Sequence, residues 1–126
     1  MVKMSAVTAL ATLALLASPA FADGDPAAGE KSFVKCKACH ENEQGVTRVG
    51  PTLKGIVGRK VASIADYKYS DGMAAKGTDG QIWDEATLTA YLPDPRAAVP
   101  GTKMAFAGLK NPQEIADLIA YLKIHP

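Results

Sequence analysis

The rhythm of apolar and polar positions changes along the chain. From Ala6 to Ala17 apolar residues run almost unbroken, interrupted only by Thr8 and Thr12. The run is shorter than the roughly 20 apolar residues that a membrane-spanning helix needs. Lys3 precedes it, and Ala20-Phe21-Ala22 closes it before the polar Asp23-Gly24-Asp25. A positive start, an apolar centre and a small-any-small exit make the pattern of a secretory signal peptide. Residues 1–22 are therefore expected to be a cleavable leader, and residues 23–126 one small domain exported to the periplasm. No later stretch is apolar enough to span a bilayer, and no cysteine follows the leader to carry lipid. No permanent membrane anchor is expected.

Helical spacing is clearest at the other end. Ile115, Leu118, Ile119 and Leu122 fall on one face of a helix. Asn111 stands at its cap, Pro112 at the first position and Glu114 at the capping-box position. Asp25-Pro26 opens a first helix in the same way, running through Gly29 and Phe33 to about Cys36. Glycine inside a helix costs about 1 kcal/mol relative to alanine, so Gly29 marks a close helix crossing. Asp84 caps another helix, with Leu88, Tyr91 and Leu92 along one side, ending at Pro93. Pro93, Pro95 and Pro100 then forbid a continuous helix up to Met104. From Glu41 to about Asp66 glycines accumulate and no strand-like alternation is sustained. That predicts a long loop, which a compact domain keeps only for a functional reason. A short helix is expected from Tyr67–Ser70 to Gly72 or Gly77. The reading is all-α, with no internal repeat and no second domain.

Charge adds an exclusion. Lys3 is one of 14 basic side chains, and the remaining 13 balance 13 acidic ones. A balanced charge points to no nucleic-acid partner. A domain this small buries a limited share of its surface and often needs a staple. Two cysteines in an exported chain would by default suggest a disulfide.

Their placement argues otherwise. Cys36-Lys37-Ala38-Cys39-His40 holds both cysteines and one of the two histidines. A thioredoxin-like dithiol would sit at the start of a helix after a strand in an α/β pattern, and no such alternation exists. A structural zinc ion wants four ligands in tetrahedral geometry. The chain offers only two cysteines and two histidines, one of them the penultimate His125. Covalent haem attachment remains. Two thiols two residues apart can each add across a porphyrin vinyl group, and the adjacent histidine is then held beneath the ring. The haem would also supply the apolar surface that a small chain lacks.

Iron then has one axial position left. Met73, Met104 and His125 are the candidates outside the leader. Met104 lies in the rigid, proline- and glycine-rich Pro100-Gly101-Thr102-Lys103, although core filling is the ordinary use of methionine. Met73 beside Gly72 reads as filler, and His125 lies too near the chain end to be firmly held.

Several segments, in order and over nearly all of residues 23–126, resemble the class I c-type cytochromes. They are Gly29-Glu30-Lys31-Ser32-Phe33, Cys36-Lys37-Ala38-Cys39-His40, Gly50-Pro51-Thr52-Leu53, Gly58-Arg59-Lys60, Tyr67-Lys68-Tyr69-Ser70-Asp71, Ile82-Trp83, Thr87 to Leu92, Pro100 to Gly108 and Ala116 to Leu122. The resemblance implies the small cytochrome c fold, with N- and C-terminal helices crossing and loops wrapped around one haem c. It implies thioether links at Cys36 and Cys39, with His40 and Met104 as axial ligands. By the same resemblance, the Pro51 carbonyl holds the other nitrogen of His40. Arg59, Tyr69 and Trp83 surround the haem propionates, while Tyr91, Thr102 and Phe106 belong to the haem pocket, the first two on the methionine side. Gly29, Phe33 and Tyr121 pack the helix crossing. The family often has asparagine where Met73 aligns, and Thr78-Asp79-Gly80-Gln81 reads as a small insertion.

The function implied is that of a periplasmic one-electron carrier, not an enzyme, working as a monomer. Its donor would be a membrane redox complex such as a quinol-oxidising cytochrome complex. Its acceptor would be an oxidase, a photosynthetic reaction centre or a reductase. Lys35, Lys37, Arg48, Arg96 and Lys103 are expected to ring the exposed haem edge. Two other readings stand beside this one: an electron-transfer haem subunit of a dehydrogenase, and a haem sensor or peroxidase with an open iron.

Overall fold

The computed structural model describes residues 23–126; the leader assigned to residues 1–22 lies outside them. Five helices follow in order: α1 (Pro26–Phe33), α2 (Asp71–Thr78), α3 (Glu85–Tyr91), α4 (Pro95–Ala98) and α5 (Pro112–Lys123). Among the described residues the only β pairing is one antiparallel bridge between Lys60 and Ile82. The all-α expectation holds.

α1 and α5 form the frame. Asp25 is extended and its carboxylate accepts from the Ala27 amide at 3.0 Å, while Pro26 occupies the first turn, where no amide is needed. Asn111 does the same for α5, accepting from Gln113 N at 2.9 Å and Glu114 N at 3.4 Å. The two helices cross at Gly29, where a Cβ would overlap the backbone carbonyl of Asp117 and lie 2.7 Å from Tyr121 Cβ. The close crossing that Gly29 predicts is there. Asp25 N also donates to Asp117 Oδ1 at 2.8 Å. Phe33 is fully buried, its ring tilted against Tyr121 with centroids 5.3 Å apart. Around this pair Ile115, Leu118, Ile119 and Leu122 complete the predicted face of α5 and join Ile56, Val61, Trp83, Leu88 and Leu109 in one core.

Some expectations need adjusting. α1 ends at Phe33, three residues early, and the chain continues through turns, with Cys36 N on Phe33 O at 2.8 Å and His40 N on Cys36 O at 3.0 Å. Glu114 does not close a capping box. Its carboxylate leaves the helix end to accept from Ser32 Oγ at 3.0 Å and from the Lys35 ammonium, tying α5 to α1. α2 starts at Asp71, capped by Ser70 rather than containing it. In the segment read as an insertion, Thr78 ends α2 and the next three residues turn back on it: Asp79, Gly80 and Gln81 donate to the Ala75, Gly77 and Lys76 carbonyls. The single-turn α4 was not anticipated. Asp94 caps it by accepting from Ala97 N at 3.1 Å, with Pro95 in the first turn.

Candidate haem-binding site

The long loop places the proximal side. Two stretches, 39–41 and 50–53, lie side by side, with Gly50 N on Cys39 O at 2.8 Å and Leu53 N on Glu41 O at 2.7 Å. Between them His40 Nδ1 stands 2.7 Å from Pro51 O. A carbonyl only accepts, so Nδ1 carries the proton and Nε2 keeps its lone pair. Burial pushes the imidazole below its usual pKa, with Arg59 adding to the effect and the Pro51 carbonyl opposing it. The ring is thus neutral at neutral pH, as a metal ligand must be. Gly50 packs on its face: a Cβ there would lie 2.8 Å from Nδ1 and 3.0 Å from Nε2.

Cys36 and Cys39 sit in the turns after α1 as free, half-buried thiols. Cys36 packs against the core. Burial pushes its thiol up to about 11, although Lys35 works against the shift.

A second group lies around Arg59. Its Nη1 donates to Lys54 O at 3.0 Å and its Nη2 to Thr52 O at 2.8 Å, while Nε is buried without a partner. The phenol of Tyr69 lies close enough to influence this guanidinium. Tyr69 Oη accepts from Ile64 N at 3.2 Å, and its ring meets Tyr67 edge-on at 4.8 Å. Trp83, 8% exposed, exchanges backbone hydrogen bonds with Gly58 and Arg59 and meets Tyr91 edge-on at 4.8 Å. Burial, reinforced by Tyr67, pushes the Tyr91 phenol up to about 12.

On the remaining side, Met104 is half-buried and its amide donates to Thr102 Oγ1 at 3.2 Å. Thr102 is anchored in turn by its amide on Val99 O at 3.0 Å. Lys103 Nζ reaches Lys68 O at 2.7 Å, which ties the methionine loop to the stretch carrying Tyr69. Phe106 and Met73 pack against the core as partly buried side chains. His125 is held more firmly than its position suggests: its ring tilts onto Tyr121 at 4.5 Å, and its carbonyl accepts from Gly55 N at 2.8 Å.

These residues fit a haem, and Arg59 carries that test. A buried guanidinium nitrogen without an acceptor is costly, and a haem propionate is an anionic acceptor. A neutral imidazole offering Nε2 beside two thiols completes the donor set.

The sequence profile of cytochrome c matches residues 26–125. The chain belongs to the cytochrome c family. It is 52% identical over 102 residues to cytochrome c2 iso-2 of Magnetospirillum fulvum, covering 81% of this chain and 98% of that one. It is 46% identical over 122 residues to cytochrome c-554 of Methylosinus trichosporium, covering 96% and 90%. Among solved structures, cytochrome cH from Methylobacterium extorquens matches with a TM-score of 0.71 and 51% identity, over 80% of this chain and 99% of that one. This cytochrome is therefore of class I and binds haem c covalently, as the family does. Its cytochrome c2 relatives carry electrons and are not enzymes.

Reading the sequence missed Glu41. Its carboxylate gathers the Glu43, Gln44 and Val46 amides at 2.9, 2.7 and 2.7 Å and the Thr52 hydroxyl at 2.5 Å. Against a desolvation cost that works the other way, the Thr52 hydroxyl and these amides hold it down to about 2. The available signal was an acid opening a helix-free loop whose amides need acceptors. The part played by Gly50 was missed too.

Proposed function

We propose that this cytochrome is a soluble periplasmic one-electron carrier, with haem attached through Cys36 and Cys39 and its iron held between His40 and Met104. Bound haem supplies an iron that changes between ferrous and ferric. The chain's part is to keep that change small. The contact between His40 Nδ1 and Pro51 O carries the reading, because it fixes the tautomer and the direction of Nε2. Thr102 shapes the turn that presents Met104. Two strong protein ligands favour electron transfer over oxygen chemistry. Arg59, Tyr69 and Trp83 would meet the propionates, with Tyr91 and Phe106 walling the pocket. The alignment with the Methylosinus cytochrome spans nearly the whole chain and so takes in much of residues 1–22, which supports reading them as a shared leader. The electron would come from a quinol-oxidising membrane complex and pass to an oxidase, reaction centre or reductase.

The test is the visible spectrum of the haem-loaded protein in both redox states. Sharp reduced bands and the weak sulfur-to-iron band at the red end of the oxidised spectrum are expected, the latter lost in Met104→Ala. Carbon monoxide binding readily to the reduced wild-type protein would overturn the assignment.

A further inference from the structure

We infer that Glu41 is a positioning residue for the imidazole of His40: with Thr52 it braces the contact between Nδ1 and the Pro51 carbonyl. The inference rests on the reading of His40 as an axial ligand.

The geometry is a closed ring. Glu41 follows His40 in the chain and Thr52 follows Pro51. His40 Nδ1 meets Pro51 O at 2.7 Å, and Thr52 Oγ1 meets Glu41 Oε1 at 2.5 Å. Each hydrogen bond is therefore one peptide away from the other on both stretches. The second sets the spacing within which the first can form. Residues 41–66 contain no helix, and the backbone bonds from Gly50 N to Cys39 O and from Leu53 N to Glu41 O join the two stretches through the main chain. The Glu41 carboxylate adds to them. Oε1 accepts from Thr52 and Val46, and Oε2 from Glu43 and Gln44. Each oxygen is thus used twice. Thr52 is fixed from the other side as well, since its own carbonyl accepts from Arg59 Nη2 at 2.8 Å. The brace therefore runs from the loop, through the carboxylate and Thr52, to the guanidinium.

A hydrogen bond at Nδ1 raises the donor strength of a ligating imidazole and fixes its ring orientation. Loosening the brace should weaken that bond, make the imidazole a poorer donor and raise the reduction potential. Glu41→Gln removes the charge and half the acceptor capacity. Thr52→Val removes one hydroxyl, with its contacts to the Glu41 carboxylate, the Glu41 carbonyl and Lys54 N, and leaves every formal charge in place, so its effect on potential reports position rather than charge.

The experiment uses the haem-loaded protein and two readouts: exchange of the His40 Nδ1 proton with solvent, followed by NMR in the reduced state, and the reduction potential. Both variants should exchange this proton faster, on the order of tenfold, and both potentials should rise. Glu85→Gln, which removes the remote ion pair with Lys123, should change neither. Glu41→Asp should restore the potential in part. A folded Thr52→Val protein with unchanged exchange and unchanged potential would overturn the inference and leave Glu41 as a loop organiser. Failure of the underlying reading looks different: His40→Ala would then leave the wild-type spectrum intact.

Discussion

A methyl group on Gly50 would press into the imidazole of His40, 2.8 Å from Nδ1. The ring cannot swing aside without breaking its bond to Pro51 O. Gly50→Ala is thus expected to keep its covalent haem but lose normal histidine ligation, read as a broadened reduced spectrum that responds to carbon monoxide. Asn42 makes the opposite case. It is 3% exposed and its amide nitrogen has no partner. A buried unsatisfied donor costs about 1–3 kcal/mol, so Asn42→Leu should raise stability by about 1–2 kcal/mol in urea melts. A loss of stability would mean that a bound water serves the amide. His40 was legible in the sequence because the cysteine spacing announces it, and Pro51 through the family resemblance. Glu41, Gly50 and Asn42 were not, because their roles depend on which atoms the loop brings back toward them, and no local rhythm records that return.

An Asp or Asn before a proline marks three of the helix starts. Asp25-Pro26 and Asn111-Pro112 give α1 and α5, and Asp94-Pro95 carries the same signal for α4. α4 escaped because one turn leaves no apolar period to read. The crossing of α1 and α5 offers a test with opposing signs. In an isolated helix Gly29→Ala would gain about 1 kcal/mol. Here the Cβ meets the Asp117 carbonyl and Tyr121, and overpacking costs about 1–3 kcal/mol. A net loss is expected, lowering Tm by about 4–8 °C for each kcal/mol. Glu114 gives the same junction a pH dependence. Its hydrogen bond from Lys35 comes first, then Ser32, and together they hold its carboxyl below the ordinary value of 4.5 despite desolvation. A depressed carboxylate stabilises fully above that value and loses its contribution as pH falls through the lowered one. The stability gap between wild type and Glu114→Gln should therefore be flat above about pH 4.5 and shrink below it.

For the molecule as a whole, the five basic side chains expected around the haem edge are not equivalent. Lys35, Lys37, Arg48, Arg96 and Lys103 are all exposed, and among them the Lys35 ammonium is the one in an ion pair, with Glu114. Exposed charges steer an acidic partner and are screened over about 8 Å at physiological salt. Reduction by such a partner should slow as salt rises, and Lys37→Gln should slow it more than Lys35→Gln. A rate independent of salt would remove this picture. The frame of the fold has a further consequence, in time. Asp25 and Asp117, bonded across the crossing of α1 and α5, are 92 residues apart. A chain is made from its N-terminus, so both thiols emerge long before α5, the helix that crosses α1. Once closed, burial pushes the Cys36 thiol up to about 11 and leaves it a poor nucleophile at neutral pH. The sequence of events is thereby written into the architecture: Cys36 is most reactive while the chain is still open, and the arrival of the last helix in the core it packs against ends that interval.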